Sequence, residues 1–311
     1  MTAVAKTATR LAIATGTLLA VGAVSPAQAV RPAEPGAGST AVCIEPDHAD
    51  AARGTDTRHE PDGMHVSVTE QARIERQLDR RLDGRDARRA ADVNVRVYVH
   101  VMLDEQGNGD VTQRQINRQI NVLNKTFSGD ESGPAADTRF SFTLAGVDRF
   151  RNDVWHRDGS SQQYRSQTRK GGAKALNIWL VEFAYLGVAT WPWDYEQHPR
   201  IDGIRVHYDS LPGGGIPNYN LGETATHEAG HWFGLYHTFQ GGCQPPGDRV
   251  ADTPAQASET SGCPAGRDSC PGKPGLDPIH NYMDYSYDSC YNRFTPGQSS
   301  RMNDAWTAYR A

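Results

Sequence analysis

Three histidines and a glutamate share one short stretch of this 311-residue chain, THEAGHWFGLYHTF at residues 226–239. His227 and His231 are four residues apart, so on a helix they stand one turn apart on the same face. Their imidazoles can then aim at one point. Gly234, midway to His237, tolerates the left-handed backbone that ends a helix at little cost. The chain can therefore swing back and bring His237 to the same point. Three neutral imidazoles leave a fourth position open on a tetrahedral zinc ion, which is the arrangement of a catalytic site and not of a closed structural one. Glu228, beside the first histidine, lies on the flank of that metal. Zinc brings the pKa of water it binds down to about 7, and a carboxylate there can take the proton and pass it to a leaving amine. The residue types match hydrolysis of a peptide bond by a Glu228-assisted, zinc-bound water. Packing alone would account for one histidine on an amphipathic helix, but not for five residues at these offsets.

A helix from about Leu221 to Phe233 must carry the first two histidines, and other elements must hold that helix in place. VNVRVYVHVML puts Val93, Val95, Val97, Val99 and Val101 on one face of a strand. The next segment shows Ile116, Ile120, Leu123 and Phe127 at helical spacing, with Thr112 and Gln115 as a capping box. RFSFTL, ALNIWLVEF, GVATWPW and DGIRVHY read as further strands, GVATWPW at an edge because of Pro192. Residues 240–292 are rich in Cys, Gly, Pro and Asp and read as loops. A last helix starts with Thr295 as N-cap and Pro296 at its first position. The order predicts an α+β fold with a mixed sheet, in a catalytic domain covering residues 93–311.

The pattern His227-Glu228-x-x-His231-x-x-Gly234-x-x-His237 resembles the metzincin zinc signature, which is followed downstream by a methionine turn. HNYMDYS at 280–286 offers Met283 for that turn. GETATHEAGHWFGLYHTFQGGC, GDRVADTPAQ, NYMDYSYDSC and RFTPGQSSRM together resemble the pappalysin family, of the small ulilysin-like type. The resemblance implies a secreted zinc endopeptidase. Its upper subdomain would bear a twisted sheet and the zinc helix, its lower one the methionine turn and the last helix. It further implies that Met283 floors the metal site and that Tyr285 matches a tyrosine some metzincins use near the metal. Structural calcium is common in that family, and Asp248, Asp252 and Thr253 offer hard oxygen ligands; a plain Asp-rich turn is the alternative. Four cysteines allow three pairings, of which the resemblance suggests Cys243–Cys270 and Cys263–Cys290. Some relatives prefer basic residues in their substrates, but no residue of this sequence points to the pocket responsible.

The first residues are of another kind. Lys6 and Arg10 precede the apolar run LAIATGTLLAVGAV, and Ala27-Gln28-Ala29 makes a small-x-small cleavage site, so residues 1–29 read as a secretory signal peptide. The run is short for a membrane anchor, and no membrane association is expected once it is removed. Residues 30–92 read as a pro-segment. It contains a charged, solvated helix begun by Ser67 and Glu70, and arginines suited to cleavage, Arg80-Arg81 and Arg88-Arg89. Cys43, left over from the four clustered cysteines, can act as a latch, because a thiolate binds zinc well; a free or intermolecular thiol is the alternative. A net charge of -5, with no Lys/Arg tract in the mature body, argues against nucleic acid and leaves proteins or peptides as expected partners. Oligomeric state stays open. Two other functions fit the motif: a zinc hydrolase of non-peptide amides or esters, and a secreted zinc-binding protein without turnover. The second has no use for Glu228.

Overall fold

The structure, a computed structural model, describes residues 66–83 and 92–311. The signal peptide, Cys43 and the Arg88-Arg89 pair lie outside the described residues. In chain order the elements are α1 (Val68–Leu82), β1 (Val93–Leu103), α2 (Gln113–Ser128), β2 (Phe140–Arg151), α3 (Asp153–His156), α4 (Ser161–Thr168), β3 (Ala175–Val181), β4 (Gly187–Ala189), β5 (Ile204–His207), α5 (Glu223–Trp232) and α6 (Pro296–Tyr309). Five strands form one sheet in the order β2-β1-β3-β5-β4. The first four of these run parallel and β4 pairs antiparallel with β5 at one edge. The sheet is thus mixed. Of GVATWPW only Gly187–Ala189 is strand, at an edge, and Pro192 lies beyond it in a 3-10 turn, so the proline does not set the edge position.

Helices cover both faces. On one side Val95, Val97, Val99 and Val101 pack against Ile116, Ile120, Leu123 and Phe127 of α2, and against Ala225, Ala229 and Trp232 of α5. On the other side Met102, Trp179 and Val181 meet Tyr164 of α4 and Trp155 of α3. This second layer explains why β1 is buried on both faces from Val99 onward, whereas its alternation suggests one buried face. Neither α3 nor α4 was expected: both are short and polar, with no apolar period to read. The β2 strand runs well past RFSFTL. Its pairing with β1 shifts register between Val97 and Tyr98, and its second half is half exposed at the other edge of the sheet, so the alternation fades there.

The helix α2 starts as expected, with the reciprocal Thr112–Gln115 capping box, and ends on Gly129 in the left-handed conformation. The same box, Thr295 with Gln298, starts α6 behind Pro296. Each such cap is worth roughly 1 kcal/mol. Ser67 caps α1 by accepting from the Glu70 amide, but the Glu70 carboxylate turns to Arg73. Nor is α1 simply solvated. Ile74 and Leu78 are buried against Trp193, Tyr236, Ala305, Ala308 and Tyr309, and Arg81 is bonded to Glu196 and to the Ala308 carbonyl.

Between α5 and α6 the described chain is almost all loop, with one 3-10 turn at Asp288–Cys290. Two interleaved disulfides cross it, Cys243–Cys270 and Cys263–Cys290, each with Cα atoms 5.6 Å apart. The buried Asp284 carboxylate adds a polar knot by accepting from Gln256, the Thr260 amide and the Tyr285 amide. With few apolar side chains available, these crosslinks and bonds order the segment in place of a core.

Candidate metal centre

Every residue of α5 is buried, although the helix has little amphipathic character. Its first residue follows Gly222, which has no side chain to cap it. The cap comes from far along the chain: the Asp288 carboxylate accepts from the Glu223 amide and also from the Leu221 amide at 2.8 Å. At the other end Gly234 takes φ +96° and turns the chain back, as the spacing requires. Two guanidiniums hold that turn, one from α6 and one from the residue that follows it. Arg310, stacked over the Trp232 ring at 3.6 Å and paired with buried Asp202, donates to the Trp232 carbonyl. Arg301 donates to the Gly234 carbonyl at 2.9 Å.

The turn brings the three histidines together. Their Nε2 atoms stand 3.1 Å (His227–His231), 3.0 Å (His231–His237) and 3.3 Å (His227–His237) apart. Tetrahedral zinc with bonds of about 2.0–2.1 Å separates such nitrogens by about 3.3 Å, so the cluster has the right size. On His227 and His231 the opposite ring nitrogen is also engaged. His227 Nδ1 lies 2.6 Å from the Tyr282 carbonyl and His231 Nδ1 lies 2.8 Å from the Leu235 carbonyl. Each carbonyl takes the Nδ1 proton, which leaves the Nε2 lone pair facing the shared point. The two lone pairs so directed repel unless a cation lies between them, His237 Nε2 meets the same point, and an all-imidazole set suits zinc. The residues present fit the metal.

Aromatic rings brace the ligands. Phe239 stacks on His237 with centroids 4.7 Å apart, and the edge of Trp191 meets His231 at 5.0 Å. The Tyr285 ring lies 5.6 Å from His227 and 4.9 Å from His237. Met283, fully buried, sits beneath α5, where a Cβ on Gly230 would collide with its sulfur. Tyr282 and Met283 also tie their loop to the ligands, through the bond to His227 and through the Thr238 amide bonded to the Met283 carbonyl.

Glu228 is buried and opens onto a cleft lined by Gly187, Tyr219, Glu223, Tyr285, Asp288 and Tyr291. Three of these lining residues escape a reading of the sequence. Gly187, on the edge strand, lies so near Glu228 that a Cβ there would strike its carboxylate. Asp288 and Glu223 place two carboxyl groups in the cleft wall. Burial pushes Asp288 up to about 6 and Glu223 well above the usual carboxylate range, with Glu131 and Asp288 adding to the second shift. No spacing motif marks them.

The three oxygen-bearing residues suggested for calcium do not all meet. Both Asp248 carboxylate oxygens lie 2.7–2.8 Å from the Thr253 hydroxyl, which is also 2.8 Å from the Val250 carbonyl. Asp252 faces away and binds Thr295 and the Gly297 amide at the start of α6. Burial pushes Asp248 up to about 7.

Residues 187–307 match the family model described as pregnancy-associated plasma protein-A, a peptidase family. An extracellular metalloprotease of Neurospora crassa is 46% identical over 265 residues, which cover 83% of this chain and 88% of the relative. One from Verticillium alfalfae is 46% identical over 263 residues, 81% of this chain and 89% of its own. Among solved structures, a point variant of Tannerella forsythia promirolysin has a TM-score of 0.65 at 26% identity, covering 81% of this chain and 95% of that one. Mature mirolysin in complex with a cleaved peptide has a TM-score of 0.61 at 28% identity, covering 71% and 96%.

Proposed function

The chain belongs to the pappalysins, the pregnancy-associated plasma protein-A family of metallopeptidases, and from that premise we propose that it is a secreted endopeptidase in which Glu228 acts as general base beside one zinc ion. The observation that carries this is the convergence of three Nε2 atoms next to a buried carboxylate at the wall of a cleft. His227, His231 and His237 would hold the metal. When bound, zinc supplies Lewis acidity, polarising a carbonyl and lowering the pKa of water to about 7. Glu228 takes a proton from the attacking water at a carboxylate oxygen and then delivers it to the leaving amine. Tyr285, in the cleft lining beside His227 and His237, donates its phenol proton in a hydrogen bond to the oxyanion that forms on the substrate. Gly187 leaves Glu228 room beneath the edge strand.

Asp288 and Glu223 set two carboxyl groups in the cleft wall, and a lysine or arginine side chain is the guest whose charge would favour their ionised forms. Family membership supports peptide bonds over other amides or esters, and argues against a zinc-binding protein without turnover. Product mapping on a peptide library by mass spectrometry, with and without a zinc chelator, tests this reading. Chelator-sensitive cuts beside basic residues are expected, with that preference weakened in Asp288→Asn. Cuts that persist with the metal removed would contradict it.

Secretion rests on the signal-like residues 1–29 and on relatives named extracellular. Among the described residues no helix is long and apolar enough to cross a membrane. Cys43 is assigned the latch that keeps the proform silent. If the wild-type and Cys43→Ser proforms are equally latent, that assignment fails. A structural calcium is assigned to Asp248, Thr253 and the Val250 carbonyl, without Asp252.

A further inference from the structure

The helix α1 falls within the segment expected to be discarded on maturation, yet it is built into the support of the metal site. We propose that Glu75, on α1, is a positioning residue for His237, acting through Arg301. It follows that residues 66–82 stay in the mature enzyme and the maturation cut falls before Val66.

The geometry runs in an unbroken line. Glu75 holds Arg301 with both carboxylate oxygens, at 2.7 and 3.0 Å. The side chains are 21% and 8% exposed, so the pair is largely shielded from water. A two-pronged pairing of this kind fixes the plane of a guanidinium. So fixed, Arg301 lies flat over the Tyr236 ring, 4.7 Å from its centroid. Its Nε then donates to the Gly234 carbonyl. Gly234 and Tyr236 are the residues through which the chain turns from His231 to His237. Ile74 and Leu78 of α1 press on the same turn through Tyr236 and Trp193. Trp193 in turn stacks on Trp191, the ring that meets His231. Without α1, Arg301 would lose the carboxylate that fixes its plane, and the Gly234 carbonyl would lose a fixed donor. Arg81, in the last turn of α1, is held by Glu196 and the Ala308 carbonyl. A protease would have to unwind the helix to use the Arg80-Arg81 site.

The inference rests on the zinc reading above, and its test separates the two. Wild-type mature enzyme, Glu75→Gln, Arg301→Lys and Arg81→Ala are compared by the rate of zinc release to a chelator and by the visible spectrum of the cobalt(II)-substituted protein. Arg81→Ala removes the other salt bridge of the same helix and so controls for loosened docking alone. Glu75→Gln should speed zinc release by about tenfold, the lower end of the range for outer-shell supports. It should also alter the cobalt spectrum and lower kcat more than it raises KM. Arg301→Lys, which keeps the charge but not the fork, should do the same and serves if Glu75→Gln folds poorly. Arg81→Ala should leave release and spectrum at wild-type values. Equal effects of Glu75→Gln and Arg81→Ala, or none from either, overturn the proposal while leaving the zinc site standing. A wild-type enzyme that takes up no zinc overturns both. N-terminal sequencing of the active secreted enzyme adds a second check: a start at or before Val66 is expected, and full zinc retention in an enzyme lacking residues 66–82 overturns the proposal.

Discussion

Replacing Gly230 with alanine sets two effects of known size against each other. Gly230 lies inside α5 between His227 and His231, where helix propensity alone favours alanine by about 1 kcal/mol. The new Cβ, however, would overlap the Met283 sulfur and lie 3.3 Å from its Cε and 3.6 Å from the Phe294 ring. Met283 is fully buried and its backbone is held by Asn281 and Thr238, so the sulfur must move within a packed floor. Overpacking of this kind costs about 1–3 kcal/mol, which offsets or exceeds the propensity gain. The expected net loss is up to about 2 kcal/mol, and at about 2–4 °C per kcal/mol the Tm falls by several degrees at most. Zinc release should quicken too, because the strain lies under the ligands. Thermal unfolding and chelator-driven zinc release are measured for wild type, Gly230→Ala, Met283→Ala and the double variant. In the Met283→Ala background the clash is gone, and Gly230→Ala should stabilise by about 1 kcal/mol. A single variant that melts above wild type and holds zinc as tightly would refute the reasoning.

Tyr285→Phe should lower kcat with KM nearly unchanged, since its hydroxyl is assigned to the oxyanion and not to ground-state binding; steady-state kinetics on one peptide read this, and a raised KM at full kcat contradicts it. Asp248 yields a pH prediction. With its carboxyl pushed up to about 7, the cation-free folded state keeps a proton that the unfolded chain releases above about 4. Stability from this group therefore falls as pH rises through that window. Calcium needs the charged carboxylate, so it should raise the Tm more at pH 8 than at pH 5, and an equal or absent response counts against the site. Reduction of the two disulfides should lower the Tm sharply, because each closes a span of 27 residues worth roughly 3–4 kcal/mol in the chain-entropy model; calorimetry with and without reductant checks it.

What could be read from the sequence is what is local to it. The i,i+4 histidines, the glycine turn and the caps at Thr112 and Thr295 each depend on a few neighbouring residues, and each forms in the structure. The buried strands around the valine run are equally local, because alternation marks them. Groups that depend on distant partners left no such trace. Gly187 matters only because β4 passes over Glu228, and Asp288 only because its loop folds back to the start of α5. The docking of α1 rests on two apolar residues, Ile74 and Leu78, among many charges, and composition alone made that helix look solvated. Asp252, grouped with Asp248 on the family resemblance, instead accepts from Thr295 and the Gly297 amide at the start of α6, a contact no local pattern marks.

The central claim is that Glu228 moves the proton and the three histidines only hold the metal. Glu228→Gln tests it most directly, because the amide matches the carboxylate in shape and cannot act as the base. Zinc content and peptide hydrolysis are measured on the same mature sample. The account predicts full zinc content, an unchanged fold and turnover reduced by at least about 10²- to 10⁴-fold. A variant that binds zinc and retains a tenth of wild-type turnover would contradict it.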